Sequence, residues 1–402
     1  MMKKTVLNWS DLDSDLLSEI IDRISCLRDF IIFGAVCKSW RSVASPEKFN
    51  KSTKVPWLLL DQKEDDNCHR KFFDLSKEAV YSVNLPKPLY KIQSSITGIR
   101  KFCLSYIFKR EKCFLCSKGW CLIVEYKTQL SLLNPFSLSR IDLPHPFYLS
   151  KDFINNYNFI LNFALSSSSS SSSDFTTMIL YHLSGAVSPR LAFWKNGDRN
   201  WTDIDLIFPS DLIEMTYQNG RYYAAHLNDG PNGYVIHEID IQNSAFVSTR
   251  TKSFSNLSMD TFNPYPFWIV GSSRGLFMVT SELRFNLEIR GGSHPIGLLD
   301  IDSYILQFIV EEVDFERGES KEVKDFGDEA LFVGLESSFF ADVSKESKLK
   351  SNHIYFAEKF QELWSYTRRG AGVYSMMDRS YKRLFTEADY GYGSSQWFEP
   401  RL

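Results

Sequence analysis

Apolar residues recur along this chain at two different periods, and the change falls near residue 55. In "DLDSDLLSEIIDRIS" Leu16, Leu17, Ile20, Ile21 and Ile24 stand at offsets 0, 1, 4, 5 and 8, the spacing of one helical face. Asp13 or Ser14 serves as N-cap, and Asp15 lies near the positive end of the helix. "RDFIIFGA" offers Phe30, Ile31 and Phe33 to a second helix, with Arg28 and Asp29 marking the break between the two. "FGAVCKSWRSVAS" places Val36, Trp40 and Val43 on one face of a third. Three short helices in about 40 residues are at the limit of independent folding. Their apolar residues also outnumber what they can hide among themselves. Either they cap the rest of this chain, or a groove on another protein completes them. The pattern alone leaves both open.

After the polar stretch "SPEKFNKSTK" (45–54) the period becomes that of strands, beginning with "VPWLLLD". Four passages share one grammar of short apolar runs and tight turns: 113–135, 215–241, 267–289 and 352–385. Asn219-Gly220 in the second is a two-residue hairpin signal. The spacing of roughly 50 residues is that of propeller blades, each a small antiparallel sheet. A radial array leaves only short outer edges exposed, and the number of short strands argues against a pair of β-sandwiches. Length divided by period gives seven blades, and the visible hairpins give six. The strand near 57–60 is expected to pair with strands from the C-terminal end and close the ring. The serine run Ser166–Ser173 is too uniform to pack and reads as a surface loop. Residues 311–329 alternate charged with apolar side chains, as an outer hairpin turning at Arg317–Ser320 would.

Composition narrows the classes. The aromatic share of 15% suits strands, and a net charge of −3 provides no positive field for nucleic acid or an anionic membrane. No apolar run approaches the ~18–20 residues of a membrane span, and the acidic residues after Lys3 and Lys4 do not fit a signal peptide. The seven cysteines read as reduced thiols of an intracellular protein, in the cytoplasm, the nucleus or both. The sequon at Asn200-Trp201-Thr202 then carries no glycan.

Three strings suggest chemistry. Gly271-Ser272-Ser273-Arg274-Gly275 satisfies G-x-S-x-G, but a nucleophile elbow needs a helix after the serine and "LFMVT" is a strand. Cys113-x-x-Cys116, with Cys103 and Cys121 nearby, lacks the second pair of a zinc knuckle and reads as small thiols within a blade. Trp120, Trp194, Trp201, Trp268 and Trp364 read as anchors between blades, which leaves recognition to loops at one rim. No catalytic residue, metal or cofactor is expected.

The stretch from Trp9 to Ser45 resembles an F-box, with Leu12, the Leu16/Leu17/Ile20 group and "VCKSWRSV" (36–43) matching that motif. Asp13 stands where the family usually has proline. The sequence from 55 to 400 resembles the KIB-type domain of plant F-box proteins, through "CSKGWCLIV", "LAFWKNGDRNWTDID", "YQNGRYYA", "NHIYFAE" and "WFEP" in order. The resemblance implies a mainly β chain: a three-helix F-box at 6–46, a connector at 47–54 and a kelch-like β-propeller of six or seven blades at 55–400. It further implies a substrate-recognition subunit of an SCF (Skp–cullin–F-box) ubiquitin ligase with no active site of its own. The Skp adaptor, and cullin through it, would be one partner and an unknown substrate protein the other. On that resemblance Leu12, Leu16, Leu17 and Ile20 meet the adaptor first, and Val36, Cys37, Trp40 and Val43 follow. Some of the eight must instead hold the helices together. The rival readings are a propeller-fold hydrolase with a helical cap and an F-box scaffold acting outside the ligase.

Overall fold

A computed structural model describes residues 9–24, 27–45, 48–49, 55–62, 69–84, 115–124, 130–145, 159–167, 175–182, 188–206, 208, 213–227, 233–242, 245–254, 267–285, 304–334, 337–344, 348–358, 370–386 and 392–401. Six sheets follow a short helical segment. The six-bladed alternative is therefore the one observed. The blades begin at Trp57, Leu115, Phe159, Ile213, Phe267 and Glu329, mostly more than 50 residues apart, so division by the shorter period overcounts.

Period-2 alternation is what builds the ring. In the first blade strand, Trp57–Gln62, Leu58 and Leu60 pack with Phe332 and Tyr355 of blade 6. Trp57 and Leu59 turn the other way, toward Cys121 and Ile123 of blade 2. Each remaining junction has its own apolar cluster: blades 2 and 3, 3 and 4, 4 and 5, 5 and 6. The inner strands of the blades are thus removed from water on both faces, which stabilises by about 1.5–3 kcal/mol per large apolar side chain. The tryptophans serve these junctions. Trp201 donates its indole N–H to Pro144 O at 2.8 Å and Trp268 to Gly334 O at 2.6 Å, each across a blade boundary. Trp120 and Trp194 are buried between blades 2 and 3, and Trp364 lies outside the described residues.

Trp57–Gln62 lies between His69–Asp74 and the C-terminal strand Tyr392–Phe398, with Trp57 opposite Phe398 and Leu58 opposite Trp397. The first blade is therefore completed by the most distant strand in sequence, as the apolar run at 57–60 predicts. Blade 6 departs from the four-stranded plan. Glu329–Val333 pairs with Phe339–Asp342 and also, in parallel, with His353–Glu358. The charged outer hairpin forms between Tyr304–Asp314 and Glu319–Glu322 and turns at 315–318, slightly before the expected Arg317–Ser320. Of the serine run, Ser166 donates its N–H to Thr176 O, and positions 168–173 lie outside the described residues.

The helices are α1 (Ser14–Ile21), α2 (Leu27–Ala35) and α3 (Lys38–Val43), preceded by a 3-10 turn at Trp9–Asp11. The break between α1 and α2 falls after Ile21, earlier than Arg28–Asp29, because Leu27 is itself buried as the first residue of α2. Asp13 is the N-cap of α1, and its carboxylate accepts from the Asp15 N–H at 2.8 Å. Its φ of −60° is the value proline would impose, so the substitution keeps the backbone and adds a cap. The reading of the helical segment as a cap on the rest of the chain holds for one of its faces. Leu17, Ile21, Leu27, Phe30 and Phe33 share one core with blades 1 and 2. Lys77 reaches Asp29 at 3.1 Å and the Arg28 guanidinium lies over the Tyr81 ring, fastening α2 to the turn and strand of blade 1.

Candidate functional site

Among the described residues, the helical segment keeps a second set of apolar side chains uncovered. Leu16, Ile20, Ile31, Ile32 and Val36 are 38–53% exposed. The eight residues proposed from sequence divide accordingly. Leu17 is buried in the shared core, one position from exposed Leu16, so the two leucines of the motif face opposite ways. Leu12, Trp40 and Val43 are half-buried against that core. Trp40 stacks near Phe33, with ring centroids 4.4 Å apart, and donates its indole N–H to Trp9 O at 3.1 Å. Cys37 is the half-buried, extended N-cap of α3. Val36 therefore precedes the helix and does not share the Trp40 face, contrary to the spacing argument. Leu16, Ile20 and Val36 remain available, together with Ile31 and Ile32. Ile31 and Ile32 are absent from the sequence-based set because a run of four apolar residues in α2 does not show which side faces the blades.

A second site lies on the propeller axis. A cavity of about 370 Å³ is bounded by the inner turns and strands of blades 2 to 6 and by the segment after Phe398. Lys118 is its distinctive group. The ammonium donates to Ser166 O at 2.9 Å and lies 4.8 Å from the centroid of the Tyr217 ring. Burial lowers its pKa to about 8, with Glu399 opposing the shift and Arg401 adding to it. Arg401 and Glu399 form an ion pair with each other. Serines line the mouth from two sides, Ser272 and Ser273 from blade 5 and Ser337 and Ser338 from blade 6. Sequence reasoning missed this lysine because Ser-Lys-Gly reads as a solvated turn.

The remaining strings are structural. Ser272 N–H donates to Gly275 O at 2.9 Å, which makes the G-x-S-x-G segment a turn between the strands Phe267–Gly271 and Leu276–Phe285. Cys116 and Cys121 are buried cross-strand partners in blade 2, and Cys103 and Cys113 lie outside the described residues.

Comparison with known proteins adds a family, three relatives and a solved structure. The sequence profile of the KIB1-4 β-propeller family matches residues 72–375. The chain is 26% identical over 244 residues to the Arabidopsis thaliana putative F-box protein At4g22660, a match covering 54% of each. It is 28% identical over 221 residues to the F-box protein At1g49360 of the same plant, covering 53% of this chain and 40% of that one. The chain thus spans about half the length of these two curated relatives. With the Arabidopsis F-box protein At2g17036 it is 22% identical over 92% of its own length and 88% of the relative's. Among solved structures the Dos1 propeller shares 11% identity at a TM-score of 0.32, over 66% of each chain.

Proposed function

The chain belongs to the KIB1-4 β-propeller family of plant F-box proteins, and from that premise we propose that it is the substrate-recognition subunit of an SCF ubiquitin ligase. F-box proteins of this kind are substrate adaptors in general. Docking of this one to a Skp adaptor, and through it to cullin, is the proposal. It rests on one observation: a helical segment already fastened to the propeller by one apolar face still exposes another, through Leu16, Ile20, Ile31, Ile32 and Val36. Removing the exposed halves of five such side chains from water contributes about 1 kcal/mol each, or about 5 kcal/mol together. Association itself costs ~4–15 kcal/mol, so the adaptor must cover a wider area than these five residues, Trp9 and the rim included.

The mechanism is one of placement. Ubiquitin transfer resides in other subunits, and this chain raises the local concentration of a target lysine beside them. Rigid attachment of the helices to blades 1 and 2 fixes the direction in which the propeller holds its cargo.

The test is co-purification of the full chain with a Skp adaptor on a sizing column. Wild type is expected to elute as a one-to-one complex. Ile20→Asp with Val36→Asp should abolish the complex while the melting temperature of the chain stays put, because neither side chain is buried. Failure of wild type to form the complex, or its survival in the double variant, overturns the proposal.

A further inference from the structure

The turn that carries Lys118 is chemically out of place. Lys118 and Gly119 have φ of +46° and +83°, the two-residue hairpin geometry in which both central residues are left-handed. Blade 4 makes the same turn with Asn219 and Gly220, at +48° and +85°, which is the residue pair that geometry favours. Lysine gains nothing locally from a positive φ, which Glu78, Leu138 and Arg379 also adopt; what sets Lys118 apart is that it lines a cavity. The turn cannot shift away either. A Cβ on Gly119 would come within 2.5 Å of the Arg401 Cβ, so the hairpin is pressed against the segment that follows blade 1.

From this hairpin the lysine extends into the axial cavity, to which all six blades or their flanking segments contribute. Lys118 and Arg401 are its cationic groups among the described residues, and Arg401 is held by Glu399. The cavity therefore presents about one positive charge that its own carboxylate does not satisfy, and it is lined by serines whose hydroxyls are able to donate. A phosphate dianion calls for more than this, from arginine forks or from a lysine with a nest of backbone N–H groups beside it. One buried ammonium with neutral donors suits a monoanion. The volume of about 370 Å³ admits a small acid or two or three residues of an extended chain, at the lower end of ligand cavities.

We infer that the axial cavity is a carboxylate-binding site in which Lys118 supplies the charge and Ser272, Ser273, Ser337 and Ser338 supply donors. The inference is independent of adaptor docking. The carboxylate comes from a peptide C-terminus, an acidic side chain or a free small acid, and titration calorimetry on the full chain separates the three. The probes are a short Gly/Ser peptide with a free C-terminus, its C-terminal amide, the amide carrying one internal Glu, and butyrate. At least one carboxylate probe is expected to bind about tenfold or more tightly than the plain amide, and which one does so names the source. That affinity should fall as pH rises past about 8, where Lys118 gives up its proton.

Lys118→Asn is the decisive variant, because it installs the residue that the blade 4 turn already uses. It should melt at or above the wild-type temperature and bind the preferred probe about tenfold or more weakly. Absence of saturation by about 10 mM for every carboxylate probe overturns the inference, as does Lys118→Asn binding within about twofold of wild type.

Discussion

Acid should loosen blade 4 through one imidazole. His226 and His237 stack with ring centroids 5.2 Å apart, Nε2 facing Nε2 at 3.1 Å, while His237 Nδ1 meets Thr251 Oγ1 at 2.9 Å. Phe208 sets its ring edge-on against both. Burial, with a smaller contribution from His226, lowers the pKa of His237 to about 4 from its ordinary 6.5. The unfolded chain therefore takes up a proton as pH falls through 6.5, and the folded chain does so only near 4. Between those values the unfolded state binds more protons, so stability is complete above about 6.5 and drains away toward 4. At pH 5 the difference amounts to about 2 kcal/mol, which screening by water at the ring edge reduces to about 1–2 kcal/mol. Urea unfolding of wild type and His237→Gln at pH 7.5 and pH 5 measures it. Buried Glu311 and half-buried Glu329, whose pKa values are raised chiefly by burial, act in the opposite direction. They are common to both chains and largely cancel in the difference. The glutamine variant should lose about 1–2 kcal/mol less than wild type between the two pH values. Parallel losses would refute the assignment of the acid sensitivity to this pair.

Two further changes probe the ring. Trp397→Ala removes a fully buried indole that packs edge-on to Phe332 at the blade 6–blade 1 junction, and should cost about 3–5 kcal/mol in urea unfolding. Gly372→Ala puts a methyl 2.3 Å from the Phe356 Cζ on the neighbouring strand, and a thermal melt should show a loss of about 1–3 kcal/mol.

Blades were legible because alternation and turn residues are local signals: Asn219-Gly220 marks its hairpin without reference to the rest of the molecule. The ring-closing pair was legible for a different reason, since "VPWLLLD" is apolar on both faces and needs a neighbour on each. What the string of letters hides is direction. Leu16 and Leu17 are equivalent to any periodicity argument, yet one is 50% exposed and the other 1%. Their fates are decided by blades 1 and 2, which arrive beneath α1 from residues far along the chain. Val36 was misplaced because a helical spacing was extended across Cys37, whose extended backbone starts the helix one residue later. Lys118 carried a signal that composition could not reveal. Only after the turn type is known does lysine, in place of asparagine, become informative.

Pairing Trp57–Gln62 with Tyr392–Phe398 has a consequence for biosynthesis. On the ribosome the earliest blade strand must wait, with one edge bare, until some 330 further residues have been translated. A premature stop anywhere upstream of Tyr392 would leave an open array with a sticky apolar border, a client for chaperones and a seed for aggregation. Such truncated products should be lost from the cell altogether, instead of persisting as partly folded fragments.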